Sequence, residues 1–335
     1  MGLQIGDIVS RKEIQCEELK GKIVAVDAFN AIYQFLSSIR QPDGTPLMDS
    51  KGNVTSHLSG LFYRNISLLS EGIKIIYVFD GEYHVLKNKT HEIRNSIKEE
   101  AKEKYKQAVE EEDIEGMGKY SRGFIRLNKE MIEESKELLE AMGIVVIQAP
   151  SEGEMQCAHL VKKGVAWAVG SQDYDALVVG GKRLIQNLTL ARKRKTVSGE
   201  IYIAPEMIEY EKTLNDLGLD SDQLISLAIL VGTDFNPGGI KGIGPKKALA
   251  LVKEKKMPYL IFKEVEGKMD FDWKEVFEIF KRPNVKDFNI SFPKLNEKRI
   301  KEILVERHNF SNERVEKQID KLNQIKEEGK QRTLF

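Results

Sequence analysis

The stretch Lys74-Ile-Ile-Tyr-Val-Phe-Asp80 decides how this chain reads. It is short, rich in β-branched and aromatic residues, and closes on an aspartate. A strand with one wet face alternates apolar and polar residues; a strand covered on both faces does not. Two further runs share the pattern: Lys22-Ile-Val-Ala-Val-Asp27, and Val165-Ala-Trp-Ala-Val-Gly-Ser-Gln ending in Asp173, with Asp175 two residues on. Ile144-Val-Val-Ile147 reads as another strand. Ile225 to Thr233, which ends in Asp234, is longer and reads as a helix. Between these runs lie long amphipathic segments, 53–70, 88–113, 124–142 and 152–163. Strands alternating with helices predict an α/β fold with a mostly parallel central sheet and helices on both faces.

In such sheets ligands bind outside the carboxyl ends of the strands. An aspartate after each of several strands therefore points into one shared cleft. Gln148-Ala-Pro-Ser-Glu-Gly-Glu154 adds a helix start at Pro150 and Ser151, with Glu152 and Glu154 in the first turn. Taken singly, each acid has an ordinary explanation: an aspartate after a strand caps the next helix, and acids in a first turn complement the helix dipole. Seven together are different: Asp27, Asp80, Glu152, Glu154, Asp173, Asp175 and Asp234. If they converge, repulsion forbids full ionisation without cations. An all-oxygen set selects Mg²⁺ or Mn²⁺ over zinc. Two such ions clamp the attacking and leaving oxygens of a phosphodiester displacement.

After Asp80, Lys87, His91, Arg94 and Lys98 recur at spacings that share one helix face. Such a face is either merely solvated or a cationic arm over a scissile phosphate. Segment 88–140 is densely charged and breaks near Gly116-Met-Gly118; it reads as two helices projecting from the sheet, an arch or a plain helical insertion. Gly238-Gly-Ile-Lys-Gly-Ile-Gly-Pro-Lys-Lys-Ala248 places Gly242 and Gly244 just before a helix start at Pro245. Glycines there let backbone N–H groups approach a phosphate, and Lys241, Lys246 and Lys247 add charge, which suits sequence-independent contact with a DNA backbone. Arg192-Lys-Arg-Lys195 lies between β segments and is either a second DNA contact or a solvated hairpin.

Composition narrows the classes. The 335 residues carry 52 basic and 52 acidic side chains, 41% hydrophobic and 31% charged residues. This excludes general disorder and removes any bulk basic excess as an argument for nucleic acid. Two cysteines, Cys16 and Cys157, give no disulfide framework and, with five scattered histidines, no zinc pattern. No apolar run is long enough to span a membrane, and no signal-peptide core is present, so a soluble intracellular protein is expected. No Gly-Lys pair is followed by Ser or Thr, which disfavours ATP hydrolysis, and no GxSxG elbow supports a serine hydrolase.

The chain resembles the structure-specific 5′ nucleases, most closely the archaeal flap endonucleases. The likeness rests on Val26-Asp-Ala-Phe-Asn-Ala-Ile-Tyr-Gln-Phe35, Arg40-Gln-Pro-Asp-Gly-Thr-Pro-Leu47, Thr55 to Arg64, Val78-Phe-Asp-Gly81, Ala149-Pro-Ser-Glu-Gly-Glu154, Ser171-Gln-Asp-Tyr-Asp175, Gly232-Thr-Asp-Phe-Asn236 and His308 to Val315. The resemblance implies cleavage of 5′ flaps at single-strand/double-strand junctions, 5′–3′ exonuclease activity, and work on Okazaki fragments and in long-patch base excision repair. It implies water attack between two Mg²⁺ ions. Glu152, Glu154, Asp173, Asp175 and Asp234 match the metal ligands; Asp27 and Asp80 complete the cluster, partly through waters. Lys87 and Arg94 match the family's basic pair, and Tyr33 its base-stacking aromatic, although alone it reads as a half-buried helix tyrosine. Segment 40–64 matches the family's pocket for a one-nucleotide 3′ flap. Gly242 to Ala248, with Lys246 and Lys247, matches a helix–two-turn–helix element that holds K⁺ against the duplex.

The resemblance also implies one nuclease domain over about 1–325, with an N-terminal region about 1–105, an arch about 84–130, an internal region about 120–250 and the helix–two-turn–helix about 222–256. A flexible tail at 326–335 carries part of a sliding-clamp (PCNA) box, Gln331-Arg-Thr-Leu334, without the family's aromatic pair. Clamp binding is expected to be weak, the protein monomeric and, in an archaeon, cytoplasmic and nucleoid-associated. Many relatives carry two prolines after the aspartate-glycine step, where this chain has Glu82-Tyr-His84. A sibling 5′ exonuclease or junction resolvase, a non-catalytic DNA-binding scaffold and a small-molecule metal hydrolase stay open.

Overall fold

The structure, a computed structural model, describes every residue except 1–2, 42–43, 112, 114–115, 117–118, 122, 124–126, 191–192, 197–198 and 333–335. Seven strands form one sheet: β1 (Lys12–Glu13), β2 (Ile23–Asp27), β3 (Lys74–Phe79), β4 (Val145–Gln148), β5 (Ala168–Gly170), β6 (Arg183–Gln186) and β9 (Glu206–Glu209), in the order β1-β9-β6-β5-β2-β3-β4. The five strands from β6 to β4 are parallel. β9 and β1 extend one edge antiparallel, an addition to the expected parallel sheet. β7 (Lys193–Thr196) and β8 (Gly199–Tyr202) pair as a separate hairpin, so Lys193 to Lys195 lie on a strand and Arg192 lies outside the described residues.

The unbroken apolar runs are explained by period two in a sheet covered twice. Along β3, Ile75, Tyr77 and Phe79 enter one hydrophobic cluster while Ile76 and Val78 enter the other. On β2, Val24 and Val26 face one side and Ala25 the other. The helices Ala28–Ser38, Ser56–Ser70 and Lys129–Ala141 supply one layer, and Gly153–Lys162 and Ser221–Val231 the other. The Ser221–Val231 helix is buried from Leu224 to Leu230, which is why its sequence shows an apolar run rather than a stripe. A capping box between Asp220 and Gln223 fixes its start.

The segment expected as two projecting helices resolves differently. Asn88–Glu110 forms one long helix with a mostly exposed surface. Lys129–Ala141 does not project: Ser135, Leu138, Leu139 and Ala141 bury it against the core, and Asn128 caps its first turn. Met117 and Gly118, from the expected break, lie outside the described residues. The Asn312–Arg332 helix runs into the segment expected as a tail, while Thr333, Leu334 and Phe335 lie outside the described residues. Among the described residues no helix is long and apolar enough to cross a membrane.

Candidate active site

The chain runs from β2 outward through β3 to β4, then crosses to β5 on the other side of β2. That reversal opens a crevice at the carboxyl ends of the strands. Asp27 ends β2; Asp80 follows β3; Glu152 and Glu154 follow β4; Asp173 and Asp175 follow β5. Asp234 arrives from the turn after the Ser221–Val231 helix, where Gly232 at φ 112° turns the chain. All seven carboxylates line one cleft of about 560 Å³, together with Lys87, His91, Arg94, Lys98 and Tyr33.

Backbone contacts hold the loops in place. The Gly153 N–H donates to Asp80 Oδ1 at 2.6 Å, and the Gln148 amide donates to the Asp80 carbonyl. A Cβ at position 153 would stand 2.6 Å from that Asp80 oxygen, so the glycine between Glu152 and Glu154 permits the close approach. Asp27 also caps the Ala28–Ser38 helix, accepting from the Asn30 N–H at 3.2 Å. The capping explanation and membership of the cluster therefore both hold for Asp27.

Burial and mutual repulsion push five of the acids toward protonation. Burial, then the neighbouring Asp80 charge, raises Asp27 well above the usual carboxylate range. Burial, then Asp173, does the same for Glu154. Burial, then Glu152, lifts Asp80 to about 6; burial, then Asp234 and Asp173, lifts Asp175 to about 8. Asp173 is raised by burial and by Asp234. Lys87 moves the other way: burial opposes its charge, but Glu152 and Asp234 outweigh it and raise its pKa.

Lys87 bonds to Glu152 and stands 3.7 Å from Asp234. Arg94 reaches both oxygens of Asp234, at 2.7 and 2.8 Å. Among the described residues no three acids or other metal-binding side chains are already grouped around one point. The donor set nonetheless fits a hard divalent cation: every candidate ligand is oxygen, and Asp175 Oδ1 is buried without a hydrogen-bond partner.

Of the expected helix face, His91, Arg94 and Lys98 lie on the Asn88–Glu110 helix, while Lys87 belongs to the 3₁₀ turn Val85–Lys87 just before it. Lys87, His91, Arg94 and Lys98 all line the cleft, with the Lys98 ammonium 5.6 Å from the centre of the Tyr33 ring. Gly242, at φ 82°, and Gly244 precede the Pro245–Lys255 helix, with Gly244 as its N-cap. At Gly244 the φ is −92° and nothing in the chain occupies the space of a Cβ, so the fold itself does not require glycine there. Lys246 is exposed, while Lys247 ties the turn by donating to the Gly242 carbonyl at 3.1 Å.

Three polar groups escape the sequence reading. The Asn30 side chain donates to Asp173 at 3.1 Å and accepts from the Gln172 N–H at 3.2 Å. Ser171 donates to Glu154, and Thr90 donates to the Asp234 carbonyl at 2.6 Å. Asn30 stands three residues after Asp27 and Ser171 two before Asp173, which is the only local signal for either.

Comparison with known proteins places the chain in a family. The XPG N-terminal domain matches residues 3–101 and the XPG I-region residues 143–234. Fold, site and these matches define the class: an α/β nuclease assembled from an XPG N-terminal domain and an XPG I-region. Flap endonuclease 1 of Pyrococcus furiosus is 50% identical over 337 residues, covering 100% of this chain and 98% of that protein. The solved flap endonuclease-1 from Methanococcus jannaschii is 42% identical at a TM-score of 0.78, covering 97% of this chain and 98% of that one. The catalytic core of Rad2 in complex with DNA substrate is 25% identical at a TM-score of 0.69, covering 96% and 100%. The chain belongs to the flap endonuclease 1 family.

Proposed function

We propose that the protein is a structure-specific 5′ flap endonuclease and 5′–3′ exonuclease that hydrolyses a DNA phosphodiester near the single-strand/double-strand junction. The supporting observation is the convergence of seven carboxylates, from separate segments of the chain, on one cleft walled by Lys87 and Arg94. A small-substrate hydrolase has no use for the Gly242–Gly244 turn. A passive scaffold has no reason to bury repelling acids.

Asp27, Asp80, Glu152, Glu154, Asp173, Asp175 and Asp234 would hold two Mg²⁺ ions, with Mn²⁺ as a substitute. When bound, these ions supply Lewis-acid stabilisation and an activated water for attack on the scissile phosphate. Lys87 and Arg94 place fixed positive charge where the phosphate gains negative charge. Tyr33 offers a ring on which a base stacks without sequence preference. Asn88–Glu110 forms one side of the arch. The Gly242–Gly244 turn, with Lys246 beside it, grips the unbroken duplex through its backbone, and the same turn would hold a K⁺ ion that adds positive charge toward the phosphates. Water adds to phosphorus and the 3′ oxygen leaves, giving a 5′ phosphate and a 3′ hydroxyl.

The same reading places the protein in Okazaki-fragment maturation and long-patch base excision repair, as a cytoplasmic, nucleoid-associated monomer. Its domain plan is one nuclease unit over about 1–325, followed by a segment that reaches a sliding clamp, weakly, through Gln331 to Leu334. The test is a double-flap DNA with a one-nucleotide 3′ flap, incubated with Mg²⁺, with EDTA, and with Asp175→Ala. Metal-dependent release of the 5′ flap by the natural chain alone supports the reading. Binding without cutting favours the scaffold, and cutting of single strands alone discards junction specificity.

A further inference from the structure

The segment between Asp80 and Lys87 carries a feature that the nuclease reading leaves unused. Tyr83 is 62% exposed, although it lines the same cleft as the seven carboxylates. Its ring meets His91 edge-on, with centroids 5.1 Å apart and planes at 63°. An exposed tyrosine on a mobile loop would mean little, but this backbone is held on both sides. The Gly81 N–H donates to the Ser151 carbonyl at 2.6 Å. His84 accepts from the Leu86 N–H at 3.3 Å through its ring and packs edge-on to Phe235 at 6.0 Å. The side chain is thus presented to solvent from a held backbone, braced by an imidazole, in the same cleft that the carboxylates line.

An exposed aromatic ring in a cleft that cationic side chains also line is an arrangement that binds single-stranded nucleic acid: a base stacks on the ring while Arg94 and Lys98, from the lining of the same cleft, attract the backbone. Tyr83, Lys87, His91, Arg94 and Lys98 belong to one continuous stretch of chain and line one cleft. Tyr33, by contrast, comes from the Ala28–Ser38 helix and is the more buried ring, at 37% exposure. We infer that Tyr83 is a second base-stacking residue, distinct from Tyr33, that positions a nucleotide of the single strand in the cleft. This rests on the nuclease reading of that cleft.

The test is epistasis between side chain and base. A series of 5′-flap substrates, each with one abasic nucleotide at successive positions across the junction, is cut by the natural chain, by Tyr83→Ala and by Tyr83→Phe. On the unmodified flap Tyr83→Ala lowers kcat/KM about tenfold, the order of one lost base–aromatic stack, and Tyr83→Phe restores most of it. At one position the abasic nucleotide slows the natural chain to the same extent and slows Tyr83→Ala no further. A loss in Tyr83→Ala that adds independently to the abasic penalty at every position overturns the assignment, as does a Tyr83→Ala chain that cuts as well as the natural one. If the natural chain cuts no flap, the nuclease reading falls and the assignment falls with it.

Discussion

One nitrogen of Arg94 lies 2.7 and 2.8 Å from the two carboxylate oxygens of Asp234, and Lys87 stands 3.7 Å from the second of them. Two side chains from the segment after β3 thus neutralise acids that the proposed mechanism assigns to metal ions. A cation cannot share those lone pairs with the guanidinium at full strength, so loading the cleft must loosen the pair. Arg94→Ala is expected to bind Mn²⁺ at least as tightly as the natural chain by calorimetry, while kcat falls about 100-fold. Lost Mn²⁺ binding in that variant would show that Arg94 props the site open rather than serving the phosphate.

Asp175 raises the complementary question of what the cluster costs the fold. It is buried, faces Asp234 and Asp173, and leaves Oδ1 without a partner. Removing a buried, repelling acid is stabilising, while removing a ligand is fatal to catalysis. Asp175→Asn is expected to unfold at higher denaturant in EDTA, by about 1–2 kcal/mol, and to cleave no flap. Added Mg²⁺ should stabilise the natural chain more than the variant. A variant that is both less stable in EDTA and equally stabilised by Mg²⁺ would remove Asp175 from the metal set.

The glycine turn separates backbone contact from charge. Gly244 has ordinary dihedrals and open space where a Cβ would go. Gly244→Ala should therefore change stability by less than about 1 kcal/mol, since only the N-cap preference alters. Its added methyl intrudes where a phosphate would approach, so affinity for plain duplex should fall with the salt dependence unchanged. Lys246→Ala should weaken duplex binding and reduce the slope of log K against log salt by about 1. Fluorescence anisotropy at several salt concentrations distinguishes the two. A Gly244→Ala chain that binds duplex normally would remove this turn from the interface.

What could be read from the sequence follows physical range. Lys74 to Asp80 declares a doubly covered strand because period two is a local property. The acids could be placed because a parallel sheet fixes where strand ends lie. Asn30, Ser171 and Thr90 could not be placed, since each acts through a side-chain bond to a distant segment, such as Asn30 to Asp173. The β9 edge was equally hidden: Glu206 to Glu209 is four mixed residues whose pairing with β6 depends on the whole sheet. Lys129–Ala141 misleads because its dense charge masks the few positions, Leu138 and Leu139 among them, that pin it to the core.

His57 provides a pH signature independent of the cleft. It is buried at the start of the Ser56–Ser70 helix, and neither ring nitrogen has a hydrogen-bond partner. Burial, reinforced by the nearby His308, depresses its pKa to about 3. The sign follows from linkage. Above about pH 6.5 neither the folded nor the unfolded chain protonates this ring, so it contributes no pH dependence. Below that, the unfolded chain binds a proton that the folded chain refuses, and stability falls until the pH nears 3. At pH 5 the loss amounts to about 2 kcal/mol. His57→Leu removes the titration whatever its packing does to absolute stability. Denaturant unfolding at pH 5 and pH 7.5 is therefore expected to show a smaller acid loss in His57→Leu than in the natural chain, by about that amount. Equal losses in the two chains would mean that His57 protonates freely in the folded state, either through a partner or through water reaching the ring.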